Sequence, residues 1–177
     1  MKKILLIFLI SLFCVTGCGK NSEDKSENNP NESNEEPIVG PAEIVDIIDV
    51  NSNSRPYAIV VNNSPVAIKV QQGLQEAYIV YEVPVEGSLT RLIALYKDID
   101  DLKIGTIRSS RHNFLDYAFE HDAIFVAYGW SHYAYDDTHS TGIEYINGIV
   151  HSNPFWRENP ENLASEHTAY TNLSKLI

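Results

Sequence analysis

Past residue 44 the chain alternates short apolar runs with polar punctuation, and the spacing of those runs predicts its elements. Tyr57-Ala58-Ile59-Val60-Val61 is continuously apolar and rich in β-branched residues, and Asn62-Asn63-Ser64-Pro65 stops it. That pattern predicts a strand buried on both faces. Gly73 to Ala77 predicts a short helical turn. Ile79 to Glu86 and Leu89 to Tyr96 predict a β-hairpin, with Gly87-Ser88 as a two-residue turn that has glycine first. In that register Tyr81, Val83 and Val85 share an apolar face with Thr90, Leu92, Ala94 and Tyr96. The other face carries Glu82, Pro84, Glu86 and Arg91, with Arg91 opposite Pro84 and diagonal to both glutamates. Pro84 has no amide donor, which places its strand at an edge or a bulge.

Ile104 to Arg108 leads into Ser109-Ser110, either of which suits a helix cap. Phe114, Leu115, Tyr117, Ala118 and Phe119 form the apolar stripe of the helix that follows. Ala123 to Tyr128 predicts another buried strand, ended by Gly129. Trp130 to His139 is polar and aromatic and reads as a loop, while Tyr170 to Ile177 reads as the start of a helix. There are no internal repeats. Strands interleaved with helices predict an α/β or α+β domain: a mixed sheet with a β-hairpin and flanking helices, incomplete at the C-terminus.

The first residues follow a different logic. Lys2-Lys3 precede an apolar run from Ile4 to Val15 that only Ser11 interrupts. The run is too short to span a hydrocarbon core of about 30 Å, but it fits the apolar part of an export signal. Val15-Thr16-Gly17-Cys18 then sets small residues before a cysteine, a pattern similar to the lipobox of bacterial lipoproteins. The Cys18 thiol would take a diacylglycerol, and amino-terminal acylation with a chain such as palmitate would supply the second anchor. From Gly19 to about Pro41 the chain has no apolar period and reads as a disordered acidic spacer. The expected organisation is a signal at 1–17, an anchor and tether at 18–43, and a folded domain at 44–177. The expected location is the outer face of the cytoplasmic membrane.

Charge narrows the functional classes. The formal net charge is -11. Loss of Lys2 and Lys3 with the leader leaves 11 basic against 24 acidic side chains, or -13. Such a surface lacks the clustered cations that displace phosphate counterions, so nucleic acid is not an expected partner. Cys14 and Cys18 both belong to the leader region, so no disulfide is expected in the folded part.

Against this acidic background the arginines stand out. Arg91 lies in the hairpin, and Arg108 and Arg111 flank Ser109-Ser110 at the predicted helix start. Forked guanidinium groups and hydroxyls near a helix N-terminus suit phosphate, sulfate or carboxylate. Ion pairs with Glu82, Glu86 and Asp116 are the plainer account of the same residues. Glu82 and Glu86 are also candidates for an acid/base pair, although an arginine between them would hold both ionised. His132, Asp136, Asp137 and His139 are ligand-type side chains, but their spacing matches no zinc signature, and no metal or other cofactor is expected. Trp130, Tyr133, Tyr135, Tyr145 and Trp156 are candidates for a sugar- or lipid-facing rim or for ordinary packing.

Several segments together resemble one family. They are Arg55-Pro56 before the Tyr57 strand, Gln72-Gly73-Leu74 with Glu76-Ala77, Ile79-Val80-Tyr81-Glu82, Val85-Glu86-Gly87 and Thr90-Arg91. Gly105 to Arg111, Gly129-Trp130-Ser131, and His167 with Tyr170-Thr171 complete the pattern. They resemble the YerB-like lipoproteins of Firmicutes, which carry a domain of unknown function, and the resemblance covers roughly residues 50 to 177. Thr106 stands where the family has proline, and Thr168 where it has asparagine. The resemblance implies that this chain is the front part of a protein about twice as long. It also implies that Glu82, Glu86, Thr90, Arg91, Arg108, Ser109, Arg111 and His167 gather in one cleft. The expected role is a cell-envelope lipoprotein that binds an anionic wall-associated ligand or a protein partner through this cleft. The alternative is a hydrolase or transferase acting on envelope glycan or phosphodiester bonds, with Glu82 or Glu86 and His167 as acid and base.

Overall fold

The computed structural model describes residues 48–176. The leader, Cys18, the spacer and the expected onset of order near Ile44 lie outside these residues. β1 (Tyr57–Asn62) is the centre of a five-stranded mixed sheet of order β2-β3-β1-β5-β6. The other strands are β2 (Ile79–Pro84), β3 (Thr90–Tyr96), β5 (Ile124–Ala127) and β6 (Tyr145–Asn147). β2, β3 and β1 pair antiparallel, whereas β1, β5 and β6 run parallel. A second, antiparallel sheet has the order β4-β8-β7, formed by Lys103–Gly105, Ala169–Asn172 and Phe155–Arg157.

The continuous apolar run of β1 is explained by layers on both of its faces. Ala58 and Val60 pack with Val83, Ile93, Leu95 and Phe125 beneath α1 (Leu115–Glu120), which contributes Leu115 and Ala118. Ile59 and Val61 pack with Leu92, Ala94, Tyr96 and Val126 against Ile104, Ile107, Phe155 and Ala169 of the second sheet and its approach. The predicted mixed α/β architecture is therefore present, with the large sheet between a helical layer and a small sheet. Pro84 ends the edge strand β2, where its missing donor costs no ladder bond. The turn expected after Gly73 is a 3-10 turn, Leu74–Glu76, which Gly73 enters with φ +77°.

Four local expectations are corrected. First, the hairpin connection takes three residues instead of two. Val85 N–H donates to Leu89 O at 2.8 Å, and Gly87 and Ser88 both adopt positive φ between them. The register shifts by one, pairing Val83 with Arg91 and Glu82 with Leu92. A one-residue slip exchanges faces, so Arg91 joins Val83 and Ile93 on the inward side and leaves Glu82 behind.

Second, neither Ser109 nor Ser110 caps a helix. A 3-10 turn at His112–Phe114 leads into α1, and the backbone of Ser110 is instead tied to Gly129 and Ser131. Third, Trp130 to His139 is not a loop, because α2 spans His132–Ser140. Ser131 caps it, its hydroxyl accepting from Ala134 N–H at 3.3 Å. Fourth, where a helix was expected to start at Tyr170, the chain instead forms β8, Ala169–Asn172. A single 3-10 turn, Leu173–Lys175, follows it.

Between β5 and the second sheet, Gly148 lies flat against the Tyr128 ring, and an added Cβ would overlap that ring. Gly148→Ala is expected to lower stability by about 1–3 kcal/mol, the usual cost of overpacking a rigid contact. Denaturant unfolding of the variant measures it.

Candidate functional site

β1 and β5 pair only across Tyr57 to Ile59 and then part. The segment from Thr106 to Ser110 enters the gap and takes over their hydrogen bonds. Asn62 N–H donates to Thr106 O at 2.8 Å, and Arg108 N–H donates to Val60 O at 2.9 Å. On the other side Tyr128 N–H donates to Arg108 O, and Ser110 N–H to Gly129 O, both at 2.9 Å. This wedge sets Arg108, Ser109 and Arg111 at the carboxyl ends of parallel strands, where open α/β sheets form their crevices.

Arg91 reaches the wedge from β3. It is 7% exposed, and its Nη1 donates to the Ser109 carbonyl oxygen. Among the described residues no carboxylate lies within ion-pair distance of it. Burial, then the neighbouring Arg111 and Arg108, push its pKa down to about 10, against a smaller opposing pull from Glu86. Arg108 is also held below its ordinary value, chiefly by burial, and its Nη1 donates to Glu166 O at 2.8 Å. Arg111 is the arginine of this cluster with a carboxylate. Its Nε and Nη2 each contact Glu86 at 2.7 Å, and its Nη1 donates to Ser110 O at 2.9 Å.

Of the eight residues expected in one cleft, Glu86, Arg91, Arg108, Ser109 and Arg111 are brought together. His167 adjoins them through Glu166. Its Nδ1 accepts from Asn62 Nδ2 at 2.8 Å, and its Nε2 lies 4.0 Å from Glu166 Oε1. Glu82 and Thr90 form a separate network: Glu82 Oε1 accepts from Thr90 Oγ1 at 2.7 Å and from Asn63 Nδ2 at 3.0 Å. The expected placement of Arg91 between Glu82 and Glu86 is overturned by the hairpin register, and the two glutamates bond to different partners.

A pocket of about 470 Å³ opens beside the wedge, lined by Arg108, Ser109, Tyr128, Trp130, Arg157 and Glu166 among others. Arg157 was not singled out by the sequence. It stacks on the Tyr128 ring at 4.7 Å, and its Nη1 donates to Ser165 O and to Thr168 Oγ1. The one signal for it was an arginine directly after an aromatic pair, Phe155-Trp156, in a chain with few arginines. Asn147, 3% exposed, was missed as well. Its side chain accepts from Gly129 N–H at 2.9 Å and donates to Gly129 O at 3.1 Å, fixing the turn that presents Trp130.

The remaining candidates separate. His132 and Asp136 approach one another at 3.7 Å on α2, while His139 bonds to Tyr135 O and to the Tyr145 hydroxyl. No group of three metal-type side chains occurs among the described residues. Trp130, Tyr135 and Tyr145 gather around His139, but Tyr133 lies against His112. Trp156 is elsewhere, stacked on Tyr170 beside Lys103 and Lys175.

The Arg111 hydrogen bonds lower the Glu86 pKa from 4.5 to about 2, with its own backbone amide as the second cause. A depressed carboxyl favours the folded state once pH exceeds the unfolded value of 4.5, and that contribution fades as pH falls towards about 2. Arg111→Ala is expected to return the Glu86 titration towards the ordinary carboxylate range. A carbon-detected NMR titration of the side-chain carboxyl measures both.

The folded part matches the family model described as "Protein of unknown function (DUF3048) N-terminal domain" across residues 46–177. A curated relative, YerB of Bacillus subtilis (strain 168), named as a candidate lipoprotein, is 39% identical over 104 residues. That alignment covers 58% of this chain and 31% of the relative, so the chain spans about a third of the relative's length. The crystal structure of Bacillus subtilis YerB superposes with a TM-score of 0.63 at 36% identity, over 69% of this chain and 41% of that one. With its fold, its motifs and most of its length accounted for in this way, the chain belongs to the DUF3048, or YerB-like, family.

Proposed function

We propose that this protein is a lipid-anchored envelope protein that binds an anionic ligand at the arginine cluster of its wedge. One observation carries the reading: Arg91 is more than nine-tenths buried without a carboxylate partner among the described residues, and Arg108 and Arg111 repel it. An unpaired buried charge costs several kcal/mol after relaxation. An incoming phosphate, sulfate or carboxylate group would offset that cost through charge-assisted hydrogen bonds. A catalytic reading has less support, because Arg111 holds Glu86 ionised and Glu82 belongs to another network.

The lipobox-like pattern at Cys18 and the name of the relative support the anchor, and an export signal before Cys18 would place it on the outer face of the cytoplasmic membrane. Tethering at that surface makes anionic wall-associated polymers or envelope proteins the accessible partners. Cys18→Ser is expected to release the chain from the membrane fraction and to abolish metabolic labelling with an alkynyl palmitate analogue. Unchanged labelling would overturn the anchor.

The cluster is tested with inorganic phosphate. Full-length protein in detergent is expected to melt at a higher temperature as phosphate is added. Arg91→Met should lose that response. Without phosphate, the same variant should be as stable as the parent or up to about 1–4 kcal/mol more stable, because it removes an unpaired buried charge. Marked destabilisation of Arg91→Met, with no phosphate response in the parent, would make Arg91 a packing residue and reject the proposal.

A further inference from the structure

Resting on this anion-binding reading, we infer that the ligand is a saccharide carrying the anionic group, with its ring against Trp130. The pocket beside the wedge has about 470 Å³, more than a bare inorganic anion fills and within the usual size of small-molecule sites. Its chemistry is divided. Arg108 and Arg157 supply cations, while Ser109, Ser165 and Glu166 add polar groups that suit ligand hydroxyls.

The aromatic component points the same way. Tyr128 cannot offer a free ring face, because Arg157 stacks on it and Gly148 lies against it. Trp130 lines the pocket as well. Tyr135, His139 and Tyr145 pack around it in T-shaped contacts, with ring centroids 5.1, 5.6 and 6.1 Å away. The Asn147 clamp on Gly129 and the pairing of Trp130 with Ser110 fix its backbone. An indole held in place before binding presents a large amphipathic surface at little entropic cost. The C–H face of a pyranose ring carries slight positive charge and complements the negative π-face, while the ring hydroxyls turn to the polar wall.

Two anion sources share this chemistry, a phosphate ester and a ring carboxylate, and calorimetry on the full-length protein distinguishes them. The probes are glucose 6-phosphate, glucuronate, glucose and inorganic phosphate. At least one of the two charged sugars is expected to bind tenfold or more tighter than either glucose or phosphate. The preferred one identifies the anionic group. Trp130→Ala should erase that advantage while phosphate binding persists, and Trp130→Phe should restore part of it. Phosphate binding as tightly as both charged sugars, unchanged by Trp130→Ala, would overturn the saccharide and leave the anion site standing. No binding of any probe would overturn both readings.

Discussion

The wedge between β1 and β5 is the constraint on which the rest depends. Parallel strands that part in the middle of a domain leave unsatisfied amides and carbonyls in a dry interior, at a cost of about 1–3 kcal/mol for each unpaired group. Here the backbone from Thr106 to Ser110 satisfies both flanks. Ile107 then packs with Ile59, Val61 and Val126 towards the small sheet. The neighbouring side chains Arg108 and Ser109 border the pocket at the mouth of the gap. One segment therefore seals the sheet, joins it to the second layer and forms one wall of the site.

Arg91 shows how closely core and site are linked. Its strand places it opposite Val83 and next to Leu92, so the forces that bury the hairpin also bury the guanidinium. Each fully buried Leu or Ile contributes about 1.5–3 kcal/mol, and β3 carries three, Leu92, Ile93 and Leu95. That is enough to tolerate one poorly solvated cation. The register that keeps those side chains inward is set by the three-residue Glu86–Ser88 connection, and the same connection delivers Glu86 to Arg111.

The sequence made visible what local pattern dictates. The Tyr57 to Val61 run, the edge position of Pro84 and the turn at Gly73 each follow from a few adjacent residues, and each is present. The structure departs from local pattern where distant partners decide the outcome. A two-residue and a three-residue turn differ little in sequence around Gly87-Ser88, yet they exchange the faces of a whole strand. Ser131 was a legible cap, but the aromatic and polar content of α2 obscured its period. Residues 169–172 extend because β4 and β7 flank them, which their own sequence does not reveal. Three of the five gathered residues, Arg91, Arg108 and Arg111, were legible from the scarcity of arginine. Arg157 was not, because its pocket assembles from segments near residues 108, 128, 157 and 166.

The charged groups of the domain divide by the kind of acceptor that holds them. Arg55, Lys103 and Arg111 bind carboxylates, which fix their positions and neutralise them. Arg91, Arg108 and Arg157 are held by the carbonyl oxygens of Ser109, Glu166 and Ser165. A carbonyl fixes the geometry of a guanidinium and leaves its full charge in place. In a chain with 24 acidic residues, carboxylates are the commonest available partners, so three arginines anchored by neutral acceptors, two of them lining one pocket, mark a positive field built to persist. Two of those carbonyls, from Ser165 and Glu166, belong to one 3-10 turn, so the pocket wall and its cations are ordered together. Such preorganisation lowers the ordering cost of binding, because the arginines need not be drawn from solvent when an anion arrives.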